Sequence, residues 1–329
     1  QSLGEGILVK DSVALWFNHI TLEDNNPSYA PLSIDNGGLN LGQQGGRLHL
    51  HDIQIETERT GSQSGPAMEL NKAAAYIDLV TMSGNHSGIV WNADNNGNFI
   101  SSMSRVQFSG SSCLVLSDHI ELSGQDNTIT PLCTGSLIFQ NSNVNWSGLV
   151  DLTSNTVLNL DSFSSLHLHQ PSQVDLNNAI IGLSATIDVA WDIEVWAINN
   201  NSNGIPQATI DLTFDQFEPS TQEPTNEIGY VKFPNYVGQQ WTQSGASSTT
   251  SATISCGYDG ISNSSSVLLD QDRVVYCLLP LGNQPPFLIW DTPEDLEIFP
   301  SGSIVEFNAS NSWDLDNDPL TWEWTSSID

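Results

Sequence analysis

The chain has 329 residues, with 7 Lys and Arg against 38 Asp and Glu and a formal net charge of −31. Phosphate backbones and anionic membrane surfaces are held by clustered cations. The few basic residues are scattered from Lys10 to Arg273, so nucleic acid and anionic lipid are excluded as ordinary partners, while divalent cations and cationic surfaces are not.

A length of this order corresponds to two or three domains. The hydrophobic fraction is 38%, but 10 Trp, 11 Phe and 6 Tyr are enough to seed real cores. Charged residues make up only 14%, and solubility rests on uncharged polar residues, among them 30 Asn. Asn, Ser and Asp compete for local backbone hydrogen bonds, which favours turns and stacked polar ladders over helices. No apolar run approaches the roughly 18–20 residues of a membrane-spanning helix. The chain opens Gln1-Ser2-Leu3-Gly4, without an initiator Met or a signal peptide. This predicts a processed or excerpted secreted protein, extracellular or at the cell surface.

Residues 1–186 carry a loose repeat. Short apolar-x-apolar segments occur at Leu32–Ile34, Met68–Leu70, Ile89–Trp91, Leu114–Leu116 and Leu137–Phe139, spaced by 21, 25 and 23 residues from Met68 onward. A second series ends in Ser-Gly: Val80–Gly84, Val106–Gly110, Ile120–Gly124 and Val144–Gly148. Short alternating segments predict strands. A period of this length with polar corners predicts a solenoid whose coils bury their faces only against each other, with a β-sandwich of many short strands as the alternative. Two intervals break the period, Phe108 to Leu122 (14 residues) and Leu137 to Val150 (13 residues). Asn71 to Val80, with Ala73, Ala74 and Ala75, has helix-like spacing and is expected to form a corner or an insertion. By this pattern the region resembles the right-handed parallel β-helix of pectate-lyase-like and adhesin-like proteins.

Residues 187–281 differ in character. Ile187 to Ala197 alternates for eleven residues, and Gly204-Ile205-Pro206-Gln207-Ala208-Thr209-Ile210-Asp211-Leu212 is followed by Thr225 to Phe233. This segment resembles the carboxypeptidase regulatory-like, or transthyretin-like, β-sandwich, which implies a spacer or stalk. Leu281 to Pro286 reads as a linker, because tandem Pro disfavours continued pairing. Beyond it, in residues 282–329, Gly302-Ser303-Ile304-Val305-Glu306-Phe307 and Trp313-Asp314-Leu315-Asp316-Asn317-Asp318-Pro319 resemble the first half of a PKD-type, Ig-like sandwich. A sandwich of that kind needs about twice these residues, so the chain is expected either to continue or to be completed by a neighbour. The fold class expected overall is all-β, a parallel β-helix followed by β-sandwich domains.

The four cysteines allow three connectivities, and the local one, Cys113–Cys133 with Cys256–Cys277, is favoured because each bond closes a short loop inside one segment; the secreted reading favours disulfides over the alternative of four buried free thiols. Asp314, Asp316 and Asp318 place carboxylates at alternate positions, an oxygen-rich set suited to calcium, with an Asp-rich turn that caps its own backbone as the alternative. Asn92-x-Asp94-x-Asn96-Gly97 and Asn199-x-Asn201-x-Asn203-Gly204 imitate half of a calcium loop but lack the closing Glu, and polar turns are expected there. His49-x-His51 and His167-x-His169 each put two imidazoles on one strand face, where surface stacking is expected ahead of a metal site. Trp16, Trp91, Trp146 and Trp196 could stack on sugars or fill the core.

The Asp, Arg and Lys groupings of β-helix lyases and hydrolases are absent, as are Gly-x-Ser-x-Gly, Walker and dinucleotide motifs. The expected function is therefore a non-catalytic structural or adhesive segment that binds an extracellular glycan or protein surface or self-associates. Two alternatives stand beside it: a β-helix polysaccharide lyase, hydrolase or tailspike-like depolymerase, and a calcium-dependent carbohydrate-binding protein.

Overall fold

In the computed structural model, the described residues are 6–10, 14–24, 30–36, 47–57, 65–84, 88–93, 101–108, 114–119, 121–129, 136–148, 151–152, 157–282, 286–293, 297–315 and 318–325. The chain divides into one unit of residues 1–191 and 237–249 and a second of residues 192–236 and 250–329.

The first unit is a parallel β-solenoid. Among the described residues its sheet I has eight strands, Ile7–Lys10, Leu32–Asp35, Met68–Asn71, Ile89–Asn92, Leu114–Ser117, Ser136–Gln140, Val157–Leu160 and Ile180–Ile181, stacked in that order. Every adjacent pair is parallel, so successive strands are joined by whole coils rather than hairpins. Leu32 pairs Met68, Met68 pairs Ile89, Ile89 pairs Leu114 and Leu114 pairs Leu137, which makes the sequence spacings the pairing offsets themselves. Alternate residues point inward, and Leu32, Ile34, Met68, Leu70, Ile89, Trp91, Leu114, Leu116, Leu137 and Phe139 form one continuous core.

Sheet II faces that core from the other side of each coil. In this unit it runs through Ala14–Asp24, Arg47–Thr57, Ala74–Gly84, Ser101–Phe108, Leu122–Gln125, Asn143–Ser147 and Ser165–His169 to the start of the strand Thr186–Ile198. The long strands bend midway. His19, Asp52, Leu79, Arg105 and Asp126 take φ of 56°, 52°, 54°, 50° and 53°. The flanking residues pair in register, so these five stack in one column, continued by Gly148 at 80° and Gln170 at 52°. This left-handed conformation is costly for residues with a Cβ, and Asp, His and Gly supply most of the column.

The bend shifts side-chain alternation by one residue. Ala75 and Ile77 point inward, Asp78 and Leu79 both lie outside, and Val80 and Met82 point inward again. Inward residues separated by two, three and two positions imitate helical spacing. This corrects the expectation for Asn71 to Val80, because residues 74–84 form a strand rather than a helix-like corner. Small side chains are required at the corner before it, where Ala73 is fully buried and its carbonyl accepts the Trp91 Nε1–H at 2.8 Å.

In the second unit, Thr221–Pro224, Thr209–Phe214, Ser251–Tyr258 and Ile261–Leu268 form a four-stranded antiparallel sheet. Residues 193–198 pair in parallel with Arg273–Leu278. The eleven-residue alternation read from Ile187 lies within the strand Thr186–Ile198. Ala208, Ile210 and Leu212 of the Gly-x-Pro-x-Ala segment are fully buried. A disulfide joins Cys256 to Cys277, tying the antiparallel sheet to Arg273–Leu278 across a Cα separation of 6.4 Å. The arrangement is sandwich-like. Beyond residue 286, the described residues form two isolated antiparallel bridges, Phe287 with Trp313 and Thr292 with Asn308.

Candidate functional site

The outward face of sheet II concentrates chemistry in its first strands. Leu15 and Phe17 pack against the core, so Trp16 between them stands outside at 73% exposure. Parallel register sets Trp16 beside His49 and His49 beside Tyr76. The three rings stack like books on a shelf: Trp16 and His49 lie 3.8 Å apart at 9°, and His49 and Tyr76 lie 4.9 Å apart at 21°. His49 therefore has a ring on each face.

Two positions along the same strands lies a polar row. His51 Nδ1 is 3.1 Å from Asp78 Oδ2, and Arg105 Nε donates to Asp78 Oδ1 at 2.8 Å while its terminal nitrogen donates to Oδ2. This two-pronged contact with Arg105 holds the Asp78 carboxyl below the usual carboxylate range, against the opposing effect of partial burial. At the bend column, His19 Nδ1 contacts the Asp52 carboxylate. The phase slip produces this cluster: with Phe17, Leu50 and Met103 turned inward, strict alternation would turn His19, Asp52 and Arg105 into the core.

Farther along the Tyr76 row the groups are hydroxyl, amide, imidazole and carboxylate. Ser102 follows Tyr76 in register, and Ser123, Asn145, His167 and Asp188 follow in turn. The Ser165 hydroxyl donates to Asn143 Oδ1 at 2.9 Å, and the Gln240 amide donates to Asp188 at 2.8 Å.

No family model matches the chain, and no curated protein matches it.

The sequence-read sites are distributed as follows. Both His-x-His pairs project from the outer face as expected, and His49 is stacked between rings. Trp91 and Trp146 are fully buried, Trp196 is tilted against Tyr230 at 4.8 Å, and Trp16 alone of the four is largely exposed. Cys113, Cys133 and Asp316 lie outside the described residues, as do Asp94, Asn96 and Gly97. Asp314 is buried, and its Oδ1 accepts the Asp318 N–H at 3.1 Å. The Leu315 carbonyl accepts amide protons from Asn199 and Asn203 at 2.9 and 2.6 Å. Asn199 Oδ1 in turn accepts the N–H groups of Asn201 and Asn203, so the second Asn-rich segment is a self-capped polar turn. Among the described residues, no group of three or more His, Cys, Asp and Glu side chains converges as a metal ion would require, and no helix is long and apolar enough to cross a membrane.

Sequence reasoning missed Tyr76, Asp78 and Arg105. Their signal is register: Tyr76 lies 27 positions after His49 and pairs with it.

Two further features belong to the second unit. The Lys232 ammonium lies 2.7 Å from the buried Asp192 carboxylate, and this bond holds the lysine pKa above its ordinary value. A cleft of about 600 Å³ is lined by Phe287, Leu288, Trp290, Phe307, Trp322 and Trp324.

Proposed function

We propose that this chain is a non-catalytic extracellular or cell-surface segment that adheres to a glycan or protein surface or assembles into a fibre or layer. The observation that carries this reading is the outer face of sheet II. Parallel strands about 4.8 Å apart hold an in-register array of aromatic, imidazole, hydroxyl and amide groups on a rigid solenoid. Such a face suits extended, repetitive partners better than enclosure of a small substrate, since small-molecule sites are concave and bury most of their ligand. The Cys256–Cys277 disulfide and the acidic, hydroxyl-rich composition support an oxidising, extracellular setting.

Incubation with plant, bacterial and animal polysaccharides tests the reading. The full chain is retained on a surface, or forms assemblies by light scattering, without releasing reducing ends or unsaturated products over time. Reproducible turnover, abolished by substituting a single carboxylate, would overturn it in favour of the lyase, hydrolase or depolymerase alternative.

Calcium at Asp314, Asp316 and Asp318 belongs to the same proposal, supported by the alternating carboxylates and the burial of Asp314. Added calcium raises the melting temperature, a chelator reverses the rise, and Asp316→Ala abolishes the response. An equal response in that variant removes the site.

A further inference from the structure

The aromatic ladder on sheet II stops abruptly. After Trp16, His49 and Tyr76, the next two positions in register are Ser102 and Ser123, and only then does the larger Asn145 follow. At about 4.8 Å per strand, the two serine rungs leave a shallow trough of about 14 Å between the Tyr76 ring and the Asn145 side chain. The His49 ring covers one face of Tyr76. The other face turns toward the serines, and Tyr76 is 39% exposed. Asp78, joined to Arg105 and His51, flanks this trough two positions along.

Charge narrows what such a trough accepts. A polyanion meets a chain of net charge −31, and Arg105 beside the trough already has both prongs on Asp78. A polycation is drawn by the net charge, but to reach the Asp78 carboxylate that flanks the trough it must displace Arg105 from it. An uncharged partner with one apolar face and a rim of hydroxyls meets neither penalty: its C–H face covers the open Tyr76 ring, and its hydroxyls exchange hydrogen bonds with Ser102, Ser123 and the edges of the Asp78–Arg105 pair.

We infer that the trough between Tyr76 and Asn145 binds a short stretch of uncharged polysaccharide, with one sugar ring as the next rung of the Trp16–His49–Tyr76 ladder. This inference rests on the adhesive reading and names its ligand class and its site.

The test is calorimetric titration of the full chain with soluble dextran, galactomannan and xyloglucan, and with polygalacturonate and chitosan oligomers as the charged comparison. Tyr76→Ala removes the platform. Ser102→Arg covers it with a guanidinium that stacks on the same ring. Both positions are on the surface, and an unchanged melting temperature verifies that each variant is folded. Binding of at least one neutral glycan, weakened about tenfold or more by both substitutions, is the expected result. Neutral binding with unchanged affinity in both variants overturns the site and leaves the adhesive reading standing. Binding of charged glycans alone overturns the ligand class. A chain that binds none of the five yet still coats surfaces or assembles overturns this inference without touching the broader reading. Turnover of any of them overturns the broader reading itself.

Discussion

Trp91→Ala lowers the stability of the solenoid by about 3–5 kcal/mol, the range for truncating a fully buried large aromatic. Complete burial and two contacts place Trp91 at the top of that range rather than the bottom. The indole is completely buried in the shared core, its Nε1–H bonds the Ala73 carbonyl at 2.8 Å, and its ring meets His119 edge to face at 4.6 Å. Removing the ring leaves a void and strips the Ala73 carbonyl of a buried donor. Stacked coils cannot collapse locally into the void, because parallel pairing on both sides holds the backbone of residues 89–92 in register. In a unit of this size, the loss corresponds to a fall in melting temperature of roughly 6–20 °C. Trp16→Ala, on the opposite side of the sheet-facing rule, shifts it by less than about 0.5 kcal/mol. Thermal unfolding followed by circular dichroism checks both, and equal effects in the two variants would contradict the burial assignment.

That contrast was legible in strand parity. Trp91 shares parity with Ile89, and Trp146 with Val144, whereas Trp16 sits between Leu15 and Phe17 and so takes the opposite face. The five short strands of sheet I were equally legible, since each coil must return to the same core and a repeat of apolar pairs has no other use. What obscured sheet II was the bend column. A residue with left-handed φ moves the alternation by one, so the inward set Ala75, Ile77, Val80 and Met82 looks helical when read as periodicity. The broken interval from Phe108 to Leu122 has a related origin. Leu122 pairs with Ser101, seven residues before Phe108, and Phe108 pairs instead with Ile129 after Asp126 at the bend. The coil length is preserved although the Ser-Gly marker is displaced. The site suffered from the same slip: Tyr76 and Asp78 lie in the segment that looked helical, while His49-x-His51, before its own bend at Asp52, kept its parity and could be read directly. Beyond residue 286, sequence resemblance suggested strands where the described residues make two bridges.

The corner residue His119 makes the solenoid sensitive to acid. It is buried beside Trp91, its Nδ1 is 2.9 Å from the Ser117 carbonyl, and its Nε2 finds no hydrogen-bond partner among the described residues. With the ring neutral, Nδ1–H donates to that carbonyl. Burial is the main cause that pushes its pKa down to about 4 from 6.5, with the Ser117 carbonyl and the neighbouring Asp118 acting weakly in the opposite direction. Above about pH 6.5 the ring is neutral both folded and unfolded, and its contribution is intact. Between about pH 6.5 and 4, the unfolded chain takes up the proton and the folded one does not, so stability falls as the pH falls. Below about pH 4 both states are protonated and the loss levels off at about 3 kcal/mol. The abundant carboxylates add their own acid dependence, so the contribution of His119 is read as a difference between wild type and His119→Leu. The substitution removes the unpaired Nε2, and the Ser117 carbonyl retains the Ala93 N–H at 3.0 Å. The variant stays within about 1 kcal/mol of wild type at pH 7.5 and becomes the more stable of the two by about 3 kcal/mol near pH 4. Trp91→Ala couples to this change: opening the space beside His119 admits water, raises its folded pKa and shrinks the pH-dependent difference, a non-additivity that a double-mutant cycle resolves. Parallel stability–pH curves for wild type and His119→Leu from pH 7.5 to 4 would show that the imidazole is already charged or solvated in the fold, and would remove both the acid switch and its coupling to Trp91.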